Sequence, residues 1–237
     1  MTKYSKTGSL AYALGTTLTI ELLQNRPSSV KRVYISPKQK RDATYEKIRG
    51  LCAGNEGIQI IENNEKIFRE LSAKENTMVI GEFEKFAAPL DKQANHVVLV
   101  NPSNMGNLGT IIRCLIGFRL RDLAIIAPAA DIFDPKVIRA SMGAIFHLNF
   151  ETFPSFAVYM EAMGGVRHPY PFMLQAQTDM KEAEIAYPYS LVFGNEATGL
   201  DRSFLSLGTP IRIPTSPKID SLNLDNAAAI GIYWFTK

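Results

Sequence analysis

One loop constrains this chain more than any other feature: Gly194-Asn195-Glu196-Ala-Thr-Gly199, which directly follows the apolar run at residues 191–193. A short apolar run that ends in glycine is typical of a buried strand. Glycine tolerates positive φ and lets backbone approach a bound molecule closely, and open α/β sheets hold their ligands at the carboxyl ends of strands. Taken alone, the segment also fits a strand followed by an ordinary surface turn.

Two further segments repeat this layout, in which a turn rich in Gly, Pro, Asn and Ser leads into an apolar helix. Residues 100–114 lie upstream of the loop, and residues 213–229 lie downstream. Three such turns in one chain favour a shared ligand site over three unrelated surface turns.

These three segments, in this order, resemble the three sequence motifs of the SpoU class of RNA ribose 2′-O-methyltransferases, also called the TrmH family, within the SPOUT superfamily. The residues at the motif positions are Asn107, Gly109 and Arg113 in the first segment, Gly194, Asn195, Glu196 and Gly199 in the second, and Ile213, Pro214, Ser221, Leu222, Asn223 and residues 227–229 in the third. A fourth stretch, residues 139–146, resembles the segment that this family carries between its first and second motifs. The resemblance covers roughly the C-terminal three-fifths of the chain.

The first motif departs from the family pattern in three ways. Asn101 stands where the family mostly has Asp, and Cys114 replaces a common Thr after the arginine. Asn104 and Asn107 begin two Asn-x-Gly units in tandem, which leaves the register ambiguous. We take Asn107 as the motif residue, because its spacing to Arg113 fits the family, and we expect Asn104 to shape the turn.

The strand and helix patterns predict two α/β units, residues 1–90 and 91–237, with a linker at residues 87–95. In the first unit we expect helices at 10–24, 43–52 and 65–71 and strands at 32–36, 58–61 and 77–82. In the second we expect strands at 97–100, 123–127, 172–176, 190–193 and 211–213, and helices at 108–118, 137–142, 156–163 and 222–235. This alternation predicts an α/β fold with a mainly parallel sheet covered on both faces. The resemblance implies two further features, a deep trefoil knot in the C-terminal domain and a small substrate-binding domain before it.

Composition is ordinary for a globular protein, with 46% apolar and 21% charged residues in 237. Cys52 and Cys114 lie far apart in unlike settings, which favours reduced thiols over a disulfide framework. His96, His147 and His168 have no neighbouring ligand residues, so we expect no metal site. The N-terminus lacks the apolar core of a signal peptide and no apolar run is long enough to span a bilayer, so we expect a cytoplasmic protein that does not enter the membrane.

Positive charge is concentrated in the N-terminal part of the chain. Residues 1–90 hold 14 Lys and Arg against 10 Asp and Glu, whereas residues 91–237 hold 12 against 13. The cations between residues 31 and 49 are Lys31, Arg32, Lys38, Lys40, Arg41, Lys47 and Arg49. Such a cluster is often only a solvated face, but beside a domain that resembles an RNA methyltransferase it predicts a surface that contacts phosphate.

The resemblance implies S-adenosyl-L-methionine as the methyl donor, held by the loops of the second and third motifs. Gly194, Ile213 and Leu222 are the expected first contacts, with Asn195 and Gly199 completing the donor site. Transfer of a methyl group to a ribose hydroxyl requires the hydroxyl oxygen in line with the methyl group and a route for its proton. It requires no metal.

The resemblance also implies a catalytic role for Arg113. A guanidinium group stays protonated at ordinary pH, with a pKa above about 12, so it is a poor general base. We therefore expect Arg113 to grip the phosphate beside the target ribose and to stabilise negative charge on the 2′ oxygen. The alternative is an ordinary helix arginine that pairs with a carboxylate.

Four other motif residues are expected to support this chemistry: Asn107 and Glu196 by holding the ribose and Arg113, and Ser221 and Asn223 by adding hydrogen bonds from the third loop. Each has a simpler alternative. Asn107 and Ser221 suit the N-caps of the helices that follow them, and Glu196 could be a surface charge. Arg139 could reach RNA or the donor's carboxylate from a partner subunit, because family members are typically dimers with composite sites.

The last helix, at residues 222–235, is apolar nearly all round, which predicts burial in the core or at a subunit interface; we interpret it as the contact of a homodimer. The favoured function is methylation of a ribose 2′-hydroxyl in RNA, with ribosomal RNA favoured because an added N-terminal module is commoner among the ribosomal members of the family. Two alternatives stay open, a transfer-RNA 2′-O-methyltransferase and a non-catalytic RNA-binding or ribosome assembly factor that keeps the fold.

Overall fold

Strands and helices alternate along the residues that the computed structural model describes, which are 4–71 and 77–237. The strands are β1 (Leu10–Leu14), β2 (Val30–Ile35), β3 (Gln59–Glu62), β4 (Val79–Glu84), β5 (His96–Val100), β6 (Asp122–Ile126), β7 (Asn149–Phe153), β8 (His168–Pro171), β9 (Thr178–Asp179), β10 (Tyr189–Phe193) and β11 (Ile211–Arg212). The α-helices are α1 (Thr16–Asn25), α2 (Ala43–Ala53), α3 (Glu65–Leu71), α4 (Met105–Gly117), α5 (Pro135–Ala140), α6 (Phe156–Met163) and α7 (Leu224–Thr236). Short 3₁₀ turns lie at Pro27–Ser29, Ala144–His147 and Arg202–Ser206.

The chain divides into two units, and the first of them is discontinuous. It joins the residues up to Phe86 with Asp131–His147, while the second unit comprises Ala87–Ala130 and Leu148–Lys237. The sequence placed all of residues 91–237 in one domain, so the segment Asp131–His147 differs from that prediction. The reason is burial: this segment carries Phe133 and Phe146, which pack against Phe83 of β4 with ring centroids 6.2 and 5.5 Å apart.

The first unit contains a mixed four-stranded sheet in the order β1-β4-β2-β3. Strand β4 pairs antiparallel with β1 and β2, and β2 pairs parallel with β3. Helix α1 packs closely on β4, because a Cβ atom at Gly81 would lie only 2.8 Å from Cδ2 of Leu22. On the same sheet Glu82 is 1% exposed and accepts a hydrogen bond from Arg32 Nη1 at 2.7 Å.

The second unit contains a five-stranded parallel sheet in the order β7-β6-β5-β10-β8, which confirms the predicted parallel α/β architecture. Its central strands are nearly continuous apolar runs, as expected for strands buried on both faces. Val192 packs in a core cluster with Tyr159 of α6. The next residue, Phe193, points to the other face, where a Cβ atom at Gly231 of α7 would lie 3.0 Å from its ring. Helices therefore cover both faces of the sheet.

Two element predictions were wrong. Residues 10–24 form the strand β1 followed by the helix α1, not one helix, because Gly15 between them adopts φ 130°, which ends the strand and redirects the chain. The strand predicted at residues 172–176 lies instead at His168–Pro171, the edge of the sheet, where prolines are tolerated. Strand β7 was not predicted.

Candidate active site

A cavity of about 240 Å³ opens beyond the carboxyl end of β10, in the second unit. All five residues predicted to hold the donor line it: Gly194, Asn195, Gly199, Ile213 and Leu222. Glu196 and Ser221 line it as well. The structure therefore brings the loops of the second and third motifs to one cavity.

Part of the cavity wall was not anticipated from the sequence. Residues 172–175 follow the edge strand β8 and line the cavity, as do Thr215, Leu224 and Ala227. The sequence placed residues 172–176 in a strand interior, which hid their role. The signal that could have revealed them is Pro171, since a proline marks the end of the strand there rather than its middle.

The loop after β10 owes its shape to two glycines. A Cβ atom at Gly194 would lie 2.1 Å from the carbonyl carbon of Gly199, so no side chain fits there. Gly199 adopts φ 69°, which glycine reaches without strain. Asn195 closes the loop, because its N–H donates to the Gly199 carbonyl at 3.2 Å and its Oδ1 accepts from the Ala197 N–H at 2.8 Å. Residues 193–200 of this closed loop line the cavity.

Glu196 joins this loop to the turn of the first motif. Its carboxylate accepts hydrogen bonds from the Ser103 N–H at 3.1 Å, the Ser103 hydroxyl at 2.9 Å and the Asn104 N–H at 2.9 Å. Asn107 Nδ2 lies at 3.4 Å and Asn195 Nδ2 at 3.3 Å. We call Glu196 together with these donors the Glu196 clasp.

The clasp keeps Glu196 ionised. Partial burial alone would raise the pKa of its carboxyl, but hydrogen bonds from backbone N–H groups of Glu196 itself, Asn104 and Ser103, with the Ser103 hydroxyl, outweigh burial and lower that pKa. A carboxylate offers about four lone-pair positions, and the donors of the clasp occupy them. Glu196 therefore holds two loops together, and its occupied lone pairs make it a poor acceptor for a proton from a substrate.

Asn195 makes a second connection between the same two loops. Its Nδ2 donates to the Asn101 carbonyl at 2.7 Å. Asn101 is one of the few non-glycine residues with positive φ, at 54°, and its amide Nδ2 lies 3.4 Å from the Pro128 carbonyl. Asparagine tolerates this conformation better than most side chains. The departure from the family's aspartate at this position thus leaves a residue that suits the turn.

The helix that carries Arg113 begins earlier than predicted. Asn104 is its N-cap, with Oδ1 accepting from the N–H groups of Gly106 at 2.8 Å and Asn107 at 3.1 Å. The alternative of Asn107 as N-cap was therefore wrong. Asn107 lies in the first turn of α4, where its side chain belongs to the clasp.

Arg113 lies on the exposed side of α4 and does not line the cavity. Within residues 4–71 and 77–237, no ion pair or hydrogen bond engages its side chain, so the alternative of a helix arginine paired with a carboxylate finds no support there. Its helix is tied to the cavity through Asn104, Asn107 and Glu196.

The residue that caps helix α7 is not the serine suggested as an alternative from the sequence. Helix α7 begins at Leu224 with Asn223 at the N-cap position, so Ser221 does not cap it. Ser221 lines the cavity two residues further upstream. Asn223 is exposed and does not line the cavity.

Other predicted residues lie in the first unit. Arg139 is a half-buried residue of α5. Three of the cations of the basic cluster have a carboxylate partner: Arg32 pairs with Glu82 at 2.7 Å, Lys31 with Glu84 at 3.2 Å, and Arg41 with Glu62 at the longer distance of 3.8 Å. Lys38, Lys40, Arg41, Lys47 and Arg49 of the cluster are exposed.

In the described part of the chain, no group of three or more His, Cys, Asp or Glu side chains is placed to hold a metal ion. No helix among the same residues has the length and apolar character to cross a membrane.

The fold of the chain is that of the SPOUT methyltransferases. Over 96% of this chain and 87% of the other, it superposes with a TM-score of 0.80 on an AdoMet-bound rRNA methyltransferase from Sinorhizobium meliloti, at 24% identity. It also superposes on the SpoU methyltransferase AviRb from Streptomyces viridochromogenes in complex with AdoMet, with a TM-score of 0.83 and 21% identity, over 96% of this chain and 89% of AviRb.

The chain belongs to the SpoU rRNA Methylase family, whose sequence profile matches residues 94–233. This confirms the resemblance seen in the three motifs. A 23S rRNA (uridine(2479)-2′-O)-methyltransferase from Streptomyces viridochromogenes is 31% identical over 58% of this chain and 50% of its own length. The 23S rRNA (guanosine(2553)-2′-O)-methyltransferase RlmP from Bacillus subtilis is 25% identical over 98% of this chain and 91% of its own. In the first two curated relatives the match spans only about half of the relative, 50% and 51%.

Proposed function

We propose that this protein transfers a methyl group from S-adenosyl-L-methionine to a ribose 2′-hydroxyl of RNA. The observation that carries the proposal is the cavity built by the second and third motifs together with the Glu196 clasp, which joins that cavity to the turn of the first motif. Family membership and the activities for which the relatives are named support it.

The cavity suits the donor in shape and chemistry. Gly194 lets the two arms of the loop that lines the cavity lie against each other, since a Cβ atom there would collide with the Gly199 backbone. Ile213, Leu222 and Leu224 give an apolar wall for the adenine, and loop backbone offers polar groups. When bound there, S-adenosyl-L-methionine supplies an electrophilic methyl group on a sulfonium.

The residues of the first motif would hold the RNA. Arg113 is exposed and without a protein partner among the described residues, so its guanidinium is available to a phosphate beside the target ribose and to the developing charge on the 2′ oxygen. Glu196 and Asn107 would hold its helix in place against the donor loop. The hydroxyl proton would leave to water or to a phosphate oxygen, because the lone pairs of the Glu196 carboxylate are occupied.

We favour ribosomal RNA as the substrate, with the first unit as an RNA-binding module. One relative that matches nearly the whole chain is named for 23S rRNA. Relatives named as tRNA (cytidine(34)-2′-O)-methyltransferases, such as the one from Aeromonas hydrophila, match 58% of the chain. A tRNA substrate remains the second candidate.

Two measurements test the proposal. Calorimetry should show heat of binding with S-adenosyl-L-methionine, and mapping of ribose methylation in total RNA from cells with and without the protein should show one site that depends on it. Donor binding without any dependent site in ribosomal RNA, but with one in tRNA, would favour the second candidate. No donor binding and no dependent site would favour a non-catalytic RNA-binding or assembly factor.

We also propose that the protein is a homodimer that uses α7. Phe118, Ile230 and Tyr233 are 37, 38 and 56% exposed, and the rings of Phe118 and Tyr233 lie 5.7 Å apart. Exposed apolar side chains that cluster in this way are typical of interfaces. A reducing location such as the cytoplasm suits Cys52 and Cys114, which are both free.

A further inference from the structure

Two arginines of the first unit are gathered around one tyrosine. Tyr45 on α2 is buried, donates its hydroxyl hydrogen to Glu62 Oε1 at 2.7 Å and accepts from Arg49 Nη1 at 3.2 Å. The guanidinium carbons of Arg41 and Arg49 lie 5.8 and 5.7 Å from the centroid of its ring. The ring therefore limits where both guanidinium groups lie, while both side chains stay exposed.

Positive charge is left over at this place. Residues 38–49 hold five Lys and Arg against Asp42 and Glu46, and Glu62 of β3 is a third carboxylate nearby, with Oε2 3.8 Å from Arg41 Nη2 and Oε1 accepting the Tyr45 hydroxyl. The side chain of Asp42 is occupied as the N-cap of α2. Lys31 and Arg32, by contrast, have close carboxylate partners of their own. The part of the basic cluster that is available to an anion is thus the part around Tyr45.

An apolar hollow adjoins Arg49. It has a volume of about 300 Å³, is open to solvent, and is lined by Arg49, Gly50, Cys52, Ala53, Ile58 and Ile60. Burial raises the pKa of the Cys52 thiol in its lining to about 11, so this thiol is neutral at ordinary pH. The hollow lies beside β3, the outer strand of its sheet, so nothing in the sheet closes that side.

An exposed pair of arginines beside an apolar hollow suits the chemistry of an unpaired nucleotide. A guanidinium fork suits a phosphodiester, and splayed bases of single-stranded RNA are bound on apolar surfaces. We propose that the surface between α2 and β3 binds one unpaired nucleotide of an RNA strand, with its phosphate at Arg41 and Arg49 and its base against Ile58 and Ile60. The proposal rests on the proposed function, because it assumes that the protein acts on RNA.

The test is binding of a fluorescein-labelled single-stranded 12-nucleotide RNA to the full chain, measured by fluorescence anisotropy at several salt concentrations. The double variant Arg41→Gln/Arg49→Gln should bind about tenfold more weakly, as expected when a charge-assisted hydrogen bond is removed. The slope of log K against log salt should decrease by about 0.7 for each phosphate that the variant no longer neutralises. The matched control, Lys66→Gln/Arg69→Gln on α3, removes the same charge elsewhere in the unit and should bind within about twofold of the original chain.

The hollow is tested separately with Ala53, an exposed residue that lines it. Ala53→Gln adds volume without charge and should weaken binding while leaving the salt slope unchanged. Equal binding by Ala53→Gln and the original chain would overturn the base site. Equal losses of affinity in the arginine variant and its control would overturn the phosphate site. Displacement of the RNA by an equal concentration of uridine 5′-monophosphate would overturn the assignment to an RNA strand.

Failure of this site and failure of the proposed function give different results. If the original chain binds the RNA and the variants bind equally well, only the nucleotide site is refuted. If the original chain binds neither RNA nor S-adenosyl-L-methionine, the proposed function falls and the site with it. Thermal midpoints of the variants by circular dichroism show that each has folded.

Discussion

The side chain of Arg113 is exposed and does not line the cavity. A residue so placed can meet the RNA without contacting the donor. We therefore expect Arg113→Ala to lose methylation by about 10²-fold or more while its affinity for S-adenosyl-L-methionine changes little. Calorimetry and a single-turnover methylation assay measure the two effects.

Two comparisons sharpen the test of Arg113. Arg113→Lys keeps the charge but loses the planar fork, so partial activity is expected. Arg121→Ala removes an exposed arginine just before β6, at the opposite end of the sheet from the cavity, and serves as the matched control. Full turnover in Arg113→Ala would contradict the assigned role.

Substitution of Gly194, unlike that of Arg113, is expected to weaken donor binding. A Cβ atom there would lie 2.1 Å from the Gly199 carbonyl carbon, so Gly194→Ala must displace the loop that lines the cavity. We expect donor affinity to fall by about tenfold or more, at a cost in stability of about 1–3 kcal/mol. Gly117→Ala, where a Cβ atom meets nothing within 4 Å, is the control and should leave donor affinity unchanged. Calorimetry decides the point: equal affinities in the two variants would show that the loop does not hold the donor.

At the scale of elements, helix α4 depends on its cap. Asn104→Ala removes an acceptor used by the N–H groups of Gly106 and Asn107, and should cost about 1 kcal/mol of the free energy of unfolding. Asn104→Asp keeps the acceptor and should cost little. Urea unfolding measures both, and an unchanged midpoint in the alanine variant would contradict the capping role.

A buried polar network ties the amino ends of strands β5 and β10 together. His96 is fully buried, with Nδ1 2.9 Å from the Tyr159 hydroxyl, which in turn lies 2.7 Å from the Ser190 hydroxyl. Arg167 adds hydrogen bonds to the carbonyls of Lys92, Ala94 and Tyr189. A shorter side chain in place of Arg167 would remove these hydrogen bonds from the three carbonyls.

This network predicts a pH dependence of stability. Burial lowers the pKa of His96 to about 4. Between about pH 6.5 and 4 the imidazole is therefore protonated in the unfolded chain but neutral in the folded chain. The free energy of unfolding should therefore fall as the pH decreases from about 6.5 to 4, by roughly 3 kcal/mol in total. His96→Gln cannot be protonated, so the difference between it and the original chain should shrink over that range in urea titrations. A constant difference would exclude His96 as the source.

The helix and strand assignments show what the sequence can and cannot reveal. The parallel sheet and the three motif loops followed from local patterns, because buried parallel strands are apolar throughout and the loops carry their own glycines and amides. The single helix predicted at residues 10–24 was wrong because its interruption depends on the backbone angles of Gly15, and the alternative of Asn107 as N-cap was wrong because the first of two similar Asn-x-Gly units begins the helix. The hydrogen-bond donors to Glu196 in the first motif lie about ninety residues away in sequence, so no local sequence pattern predicts them.

At the scale of the whole molecule, the proposed dimer predicts that a charge placed on its interface lowers the mass of the particle in solution. Tyr233→Glu places a charge among Phe118 and Ile230 on the exposed side of α7 and should convert a dimer to a monomer. Val158→Glu makes the same change at a 39% exposed residue of α6 and should not. Sedimentation velocity distinguishes the two states, and a monomeric original chain would rule out the dimer. The trefoil knot that the family implies stays a prediction.

The discontinuous first unit has a consequence for dividing the protein. The chain passes from one unit to the other three times, at residues 86–87, 130–131 and 147–148. A fragment that starts at residue 91 would keep Phe133 and Phe146 but lack Phe83, the ring on which they pack. Its aromatic side chains would be exposed to solvent, and the fragment would tend to aggregate. A chimeric protein that takes only the second unit should therefore replace residues 131–147 with a short polar linker.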